Sequence, residues 1–145
     1  YELLALERQL GGMGLMQPSS TYHQFAVGMT GGKMSSSQPE TTIFLNDSMK
    51  SIEKKIKSSF SGGRATVEEH RAKGGNPDVD VAYQYLRYFF EEDDKELGNI
   101  REEYMSGKLL TGEIKSICVE KATSWMKKHH ELKDQNQHLI KDFLN

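Results

Sequence analysis

Hydrophobic and polar positions divide this chain into two unlike halves. The opening stretch Tyr1–Leu10 puts Leu3, Leu6 and Leu10 on one helical face and stops at Gly11-Gly12, so it predicts a short amphipathic helix. After Pro18 the residues Tyr22 to Val27 fit a short strand, and a polar loop from Gly28 to Thr42 leads to the apolar run Ile43-Phe44-Leu45. From Asp47 the spacing turns helical, with Met49, Ile52 and Ile56 three and four residues apart.

Three later helix starts are marked by their chemistry. Thr66 with Glu69 forms a capping box. Asn76-Pro77-Asp78 supplies a cap, a first-turn proline and an acid where the helix dipole favours one. Thr111-Gly112-Glu113 opens a last helix that can run to about Phe143, a length of roughly 45 Å. Ile114, Cys118, Trp125, His129, Leu132, Leu139 and Phe143 form its expected inner stripe. The cluster Tyr83-Gln-Tyr-Leu-Arg-Tyr-Phe-Phe90 could stack bases, but at helical spacing it reads as bundle core. The fold class expected from the pattern is mainly α, with a helical bundle in the second half.

Composition sharpens the division. Eight of the 13 glycines occur as four Gly-Gly pairs, all before residue 76, where helix interiors would avoid their entropic cost. Nineteen Lys and Arg against 21 Asp and Glu give a net charge of −2, which argues against nucleic-acid binding through bulk charge and leaves room for a local basic face. A single cysteine, Cys118, cannot close an internal disulfide and reads as a packed thiol. No apolar run approaches the roughly 20 residues of a membrane span, and the amino end lacks a basic region followed by a hydrophobic stretch. A cytoplasmic chain without a membrane partner is expected.

Chemistry concentrates in Met29-Thr-Gly-Gly-Lys-Met-Ser-Ser-Ser-Gln-Pro39. Two glycines provide a hinge, Lys33 a compact mobile cation, and Ser35, Ser36 and Ser37 hydroxyls and exposed amides, a set suited to a polyphosphate. The same composition is that of an exposed linker, and the spacing is not that of a P-loop. His130, Asp134 and His138 share one helical face over two turns and read as solvated surface, so no protein-bound metal is expected. Glu91-Glu-Asp-Asp94 lacks calcium-loop spacing and reads as a loop and helix start.

Lys33-Met34-Ser35-Ser36-Ser37 resembles the KMSKS signature of class I aminoacyl-tRNA synthetases. The segments that follow are similar to tryptophanyl-tRNA synthetases of the archaeal and eukaryotic type: Phe60-Ser-Gly-Gly-Arg-Ala-Thr-Val-Glu-Glu-His-Arg71, Gly74-Gly-Asn-Pro-Asp-Val-Asp-Val81, Phe89-Phe-Glu-Glu-Asp-Asp94 and Gly107-Lys-Leu-Leu-Thr-Gly-Glu-Ile-Lys115. The resemblance covers residues 18 to 145. It implies a ligase that joins tryptophan to ATP with Mg²⁺ and passes the tryptophanyl group to its tRNA. Residues 1–46 would then be the end of a Rossmann-type α/β catalytic domain carrying the loop, and 47–145 a helical anticodon-binding domain.

In that likeness Lys33 and Ser35 are catalytic, Lys33 to Ser37 close over ATP and the departing pyrophosphate, and Arg64 and Lys115 meet the anticodon. Where many bacterial members have a second lysine this chain has Ser36, and where animal members have an aspartate after the arginine it has Ala65. None of His23, His70, His129, His130 and His138 stands in the His-x-Gly-His signature. The resemblance therefore implies a carboxy-terminal portion, inactive alone and homodimeric when full length. The alternatives are a tyrosyl enzyme of the same class and a free-standing helical RNA-binding module.

Overall fold

A computed structural model of the protein describes residues 26–139 continuously, together with Leu6, Gln9, Gly11 and Thr21. The helix expected over Tyr1–Leu10, most of the strand expected at Tyr22–Val27, and the helix end near Phe143 lie outside the described residues. Among the described residues the fold is helical and contains no strand; Val27 and Lys33 form an isolated antiparallel bridge. The helices are α1 (Met49–Lys57), α2 (Val67–Lys73), α3 (Val81–Tyr85), α4 (Asp94–Met105) and α5 (Thr111–Asn136). Single 3₁₀ turns cover Pro39–Thr41 and Gln137–Leu139, and a π turn over Leu86–Phe90 continues α3.

Helix α5 is the spine, packing against α1, α3, the π turn and α4. Ile52 and Ile56 of α1 and Val81, Ala82, Tyr85 and Leu86 around α3 are buried against it, with Ile100 and Tyr104 from α4. Each of the Ile, Val and Leu side chains among them contributes about 1.5–3 kcal/mol on leaving water. The buried stripe of α5 differs from the expected one. It runs Ile114, Cys118, Ala122, Met126, whereas Trp125 is 45% exposed and Leu132 50%. Four-residue steps wind about 40° around a helix each time, so the buried line turns away from Trp125 as successive partners cross it. Burial also pushes the Cys118 thiol up to about 12.

Two of the marked helix starts move. Asn76 caps only a turn, its Oδ1 accepting from the Asp78 amide at 3.0 Å, and Asp78 pairs instead with Arg101 at 2.8 Å. Helix α3 begins at Val81, capped by Asp80, whose carboxylate accepts the Tyr83 amide at 3.1 Å. For α5, Thr111 is the first helical residue; Leu110 precedes it and donates its amide to Glu113 at 2.7 Å. Thr66 caps α2 as expected, accepting from the Glu69 amide at 3.1 Å.

Asp80 is fully buried and is the polar centre of the bundle. Besides the Tyr83 amide it accepts from the Gly62 amide at 2.9 Å and the Tyr104 hydroxyl at 2.8 Å. Two glycine pairs exist for close approach to this centre. A Cβ on Gly62 would stand 1.9 Å from the Asn76 carbonyl oxygen, and one on Gly74, at φ +69°, would stand 1.7 Å from that of Met105.

Candidate functional site

The Lys33–Ser37 loop is built on a tight turn and a buried base. Gly28 donates its amide to the Gly32 carbonyl at 2.7 Å and Gly31, at φ +84°, donates to Gly28 at 2.8 Å, which reverses the chain and brings Lys33 back beside Val27. Gly31 lies against the Phe60 ring, 3.0 Å from where its Cβ would be, so a side chain there meets both strain and a wall. The Phe60 amide then donates to the Met29 carbonyl at 2.8 Å and ties the turn to the segment after α1.

Beyond Lys33 the chain makes a β-turn over Ser35–Gln38, closed by the Gln38 amide on the Ser35 carbonyl at 3.1 Å. The Ser35 and Ser37 hydroxyls are 2.8 Å apart. Met34 is half-buried and lines an apolar cavity of about 250 Å³ with Ile43, Leu45, Tyr85, Phe89, Phe90, Trp125 and Met126. Lys33 and Ser36 are exposed, and among the described residues the Lys33 ammonium has no hydrogen-bond or ion-pair partner. A free ammonium and free turn amides on a pinned loop can attract and hold an anion.

The segment after the loop is fastened to α1. Lys55 reaches the Asp47 carboxylate at 2.6 Å and the Thr42 carbonyl at 2.8 Å. Burial alone would raise the Asp47 carboxyl, but hydrogen bonds from Lys55, the Phe44 amide and Ser51 outweigh it and hold it below the ordinary carboxylate value. At the other end His130 of α5 meets the Leu45 carbonyl at 2.7 Å. That bond, and the stacking of His129 on Trp125 at 5.6 Å, give these two histidines packing roles. Glu91 pairs with Lys121 at 2.8 Å, and Asp93 caps α4.

Arg64 and Lys115 are placed apart from the loop. Arg64 is exposed and donates from Nε to the Gly74 carbonyl at 3.0 Å. It borders an open groove of about 340 Å³ with Thr66, His70 and the amino end of α5 at Thr111, Gly112 and Glu113. Lys115 is half-buried, its ammonium donating to the carbonyls of Lys57 at 3.0 Å and Ser59 at 2.6 Å, the outgoing end of α1. Burial lowers its pKa, with Asp80 opposing.

Three further residues shape these sites, and none of them is a site candidate from the sequence. Thr41 sits buried under the loop, Asp80 organises the bundle, and His70, buried beneath the groove, bonds the Leu109 carbonyl through Nε2 at 3.0 Å while its Nδ1 has no partner among the described residues. Asp80 had a usable signal, since an acid three residues before Tyr83 is a cap pattern. Thr41, one threonine in a polar run, had none.

The family model for class I tRNA synthetases (W and Y) matches residues 4–127. A tryptophan–tRNA ligase of Sulfolobus acidocaldarius is 48% identical over 134 residues, covering 90% of this chain and 35% of that protein. The human cytoplasmic tryptophan–tRNA ligase is 42% identical over 136 residues, covering 91% of this chain and 29% of that protein. The crystal structure of tryptophanyl-tRNA synthetase from Aeropyrum pernix superposes with a TM-score of 0.81 at 38% identity, over 92% of this chain and 36% of that one. The chain thus spans about a third of the length of the curated relatives it matches.

Proposed function

Because the chain belongs to the class I tRNA synthetases of the tryptophan and tyrosine group, we propose that it is the carboxy-terminal portion of a tryptophan–tRNA ligase. Residues 1–46 carry the end of a Rossmann-type catalytic domain with its phosphate-binding loop. Residues 47–145 are the helical anticodon-binding domain. The observation that carries this reading is the unpartnered Lys33 ammonium on a loop whose far end is pinned by buried bonds.

In the activation step the tryptophan carboxylate attacks the α-phosphorus of ATP, the bond from that phosphorus to the α,β-bridging oxygen breaks, and pyrophosphate leaves. Negative charge grows on the leaving group, and Lys33 with the turn amides of the loop stabilises it; Mg²⁺ arrives with the nucleotide. The tryptophanyl group then passes to a ribose hydroxyl of the tRNA end, releasing AMP. Met34, seated among the aromatic side chains of the cavity, couples the loop to the helical half. The full-length protein would work in the cytoplasm as a homodimer. Among the described residues no helix is long and apolar enough to cross a membrane.

Amino-acid-dependent pyrophosphate exchange tests the reading directly. The full-length protein should exchange with tryptophan and not tyrosine, and the 145-residue chain with neither; exchange driven by tyrosine would assign the tyrosyl enzyme instead. A solved tyrosyl-tRNA synthetase at TM-score 0.59 and 19% identity shares the fold alone, which favours tryptophan.

For the anticodon surface, the groove beside Arg64 suits an unstacked base held by a guanidinium. Arg64→Ala should weaken cognate tRNA binding about tenfold at fixed low salt, with a small drop in the melting midpoint from the lost bond to the Gly74 carbonyl. Lys115→Ala should weaken it too, and should also lower the midpoint because its bonds to Lys57 and Ser59 are lost. Unchanged affinity in either variant removes that residue from the surface.

A further inference from the structure

The loop that bears Lys33 is fastened by a residue outside the motif. Thr41 lies six residues past Ser35 at the end of the Pro39–Thr41 turn and is only 4% exposed. Its hydroxyl accepts the Ser35 amide at 3.0 Å and stands within donating reach of the Gln38 carbonyl at 2.8 Å and the Ser35 carbonyl at 3.1 Å. A hydroxyl has one proton, so it serves one of those carbonyls at a time while accepting throughout.

The main chain of Thr41 reaches both arms of the loop as well. Its amide donates to the Gln38 carbonyl at 2.9 Å, and its carbonyl accepts from Met29, ahead of Lys33, at 2.9 Å. Gly28 passes so close that a Cβ there would lie 2.7 Å from the Thr41 carbonyl oxygen. One buried residue therefore holds the incoming arm, the outgoing arm and the first residue of the Ser35–Gln38 turn.

We propose that Thr41 is a positioning residue for nucleotide phosphates: its buried hydroxyl clamps Ser35, so that the turn presents the amides of Ser36 and Ser37 in the loop that carries Lys33. The proposal rests on the loop's reading as a phosphate lid. With Ser35 spent on Thr41, the central residues of the turn carry the donors left for an anion; among the described residues neither the Ser36 nor the Ser37 amide has an acceptor. A valine at position 41 would keep the shape and remove the clamp. A serine would keep the hydroxyl.

Two measurements decide it. In the unaltered full-length protein the Ser35 amide should exchange with deuterium at least about tenfold more slowly than those of Ser36 and Ser37. In tryptophan-dependent pyrophosphate exchange, Thr41→Val should lower kcat/KM for ATP about tenfold with KM for tryptophan unchanged, and Thr41→Ser should stay within about twofold of the parent. Equal exchange at the three amides overturns the clamp whether or not the valine variant folds. Parental kcat/KM in Thr41→Val, or a loss that serine fails to restore, overturns the positioning role. A parent with no pyrophosphate exchange sinks the ligase reading and the positioning role with it, and the amide rates then report the clamp by itself.

Discussion

Replacing Lys33 with alanine in the full-length protein should lower tryptophan-dependent pyrophosphate exchange by about 10²–10³-fold, the loss expected when one placed donor is removed from a developing anion. The effect should fall on kcat and on kcat/KM for ATP, because the charge that Lys33 meets is largest as pyrophosphate departs. Stability should not change: the side chain is exposed and partnerless among the described residues, so nothing in the folded bundle is lost with it. Lys33→Arg should recover only part of the rate, since a planar fork on a longer arm does not reproduce a compact, mobile ammonium. The motif holds no second cation to compensate, because Ser36 occupies the place where some relatives keep another lysine. A Lys33→Ala enzyme with more than about a third of parental kcat/KM would remove the ammonium from the chemistry.

The largest expected effect on stability lies elsewhere, at Asp80. Its side chain is fully buried and accepts from the Gly62 amide, the Tyr83 amide and the Tyr104 hydroxyl. Asp80→Ala strands two buried backbone donors, one of them the Tyr83 amide that Asp80 caps, and leaves the Tyr104 hydroxyl only its longer contact with Thr111 at 3.3 Å. Each of the two unsatisfied amides costs about 1–3 kcal/mol, so a loss of about 3–5 kcal/mol is expected in urea unfolding of the chain. Against a domain stability of about 5–15 kcal/mol, that is enough to leave a substantial unfolded fraction near body temperature. Asp80→Asn keeps one oxygen acceptor and should lose about half as much. A loss under about 1 kcal/mol for alanine would show that the network relaxes around the gap.

The sequence made the helices readable wherever the deciding force was local. Thr66 announces α2, and Ile52 and Ile56 show the buried face of α1, because caps and i,i+4 spacing act within one or two turns. It misplaced the start of α3 because two residues, Asn76 and Asp80, compete for the cap. The winner is set by Gly62 and Tyr104, 18 and 24 residues away from Asp80. The inner stripe of α5 was half right for a similar reason. Ile114 and Cys118 are buried as expected, but Trp125 turns to stack on His129 and meet Phe90, at 5.6 and 6.4 Å, along the edge of the apolar cavity.

The glycine pairs show the same limit. Their number pointed to turns, and at Gly31 a turn is what they make. At Gly62 and Gly74 the requirement is steric, imposed by backbone from other segments. In the loop, Lys33 to Ser37 were legible as a motif, while the buried hydroxyl that holds them was not, since a threonine's depth is invisible without its neighbours.

The buried Cys118 gives the chain a built-in clock. It is the single thiol of the sequence, fully enclosed against α5's partners and held protonated far above neutral pH. An alkylating reagent can therefore reach it only when the bundle opens, and its labelling rate is the intrinsic thiolate rate scaled by the open fraction. Opening of this helical half can thus be timed in the unaltered protein, with and without nucleotide or tRNA, and any ligand that braces the bundle would be read as slower modification of one sulfur atom.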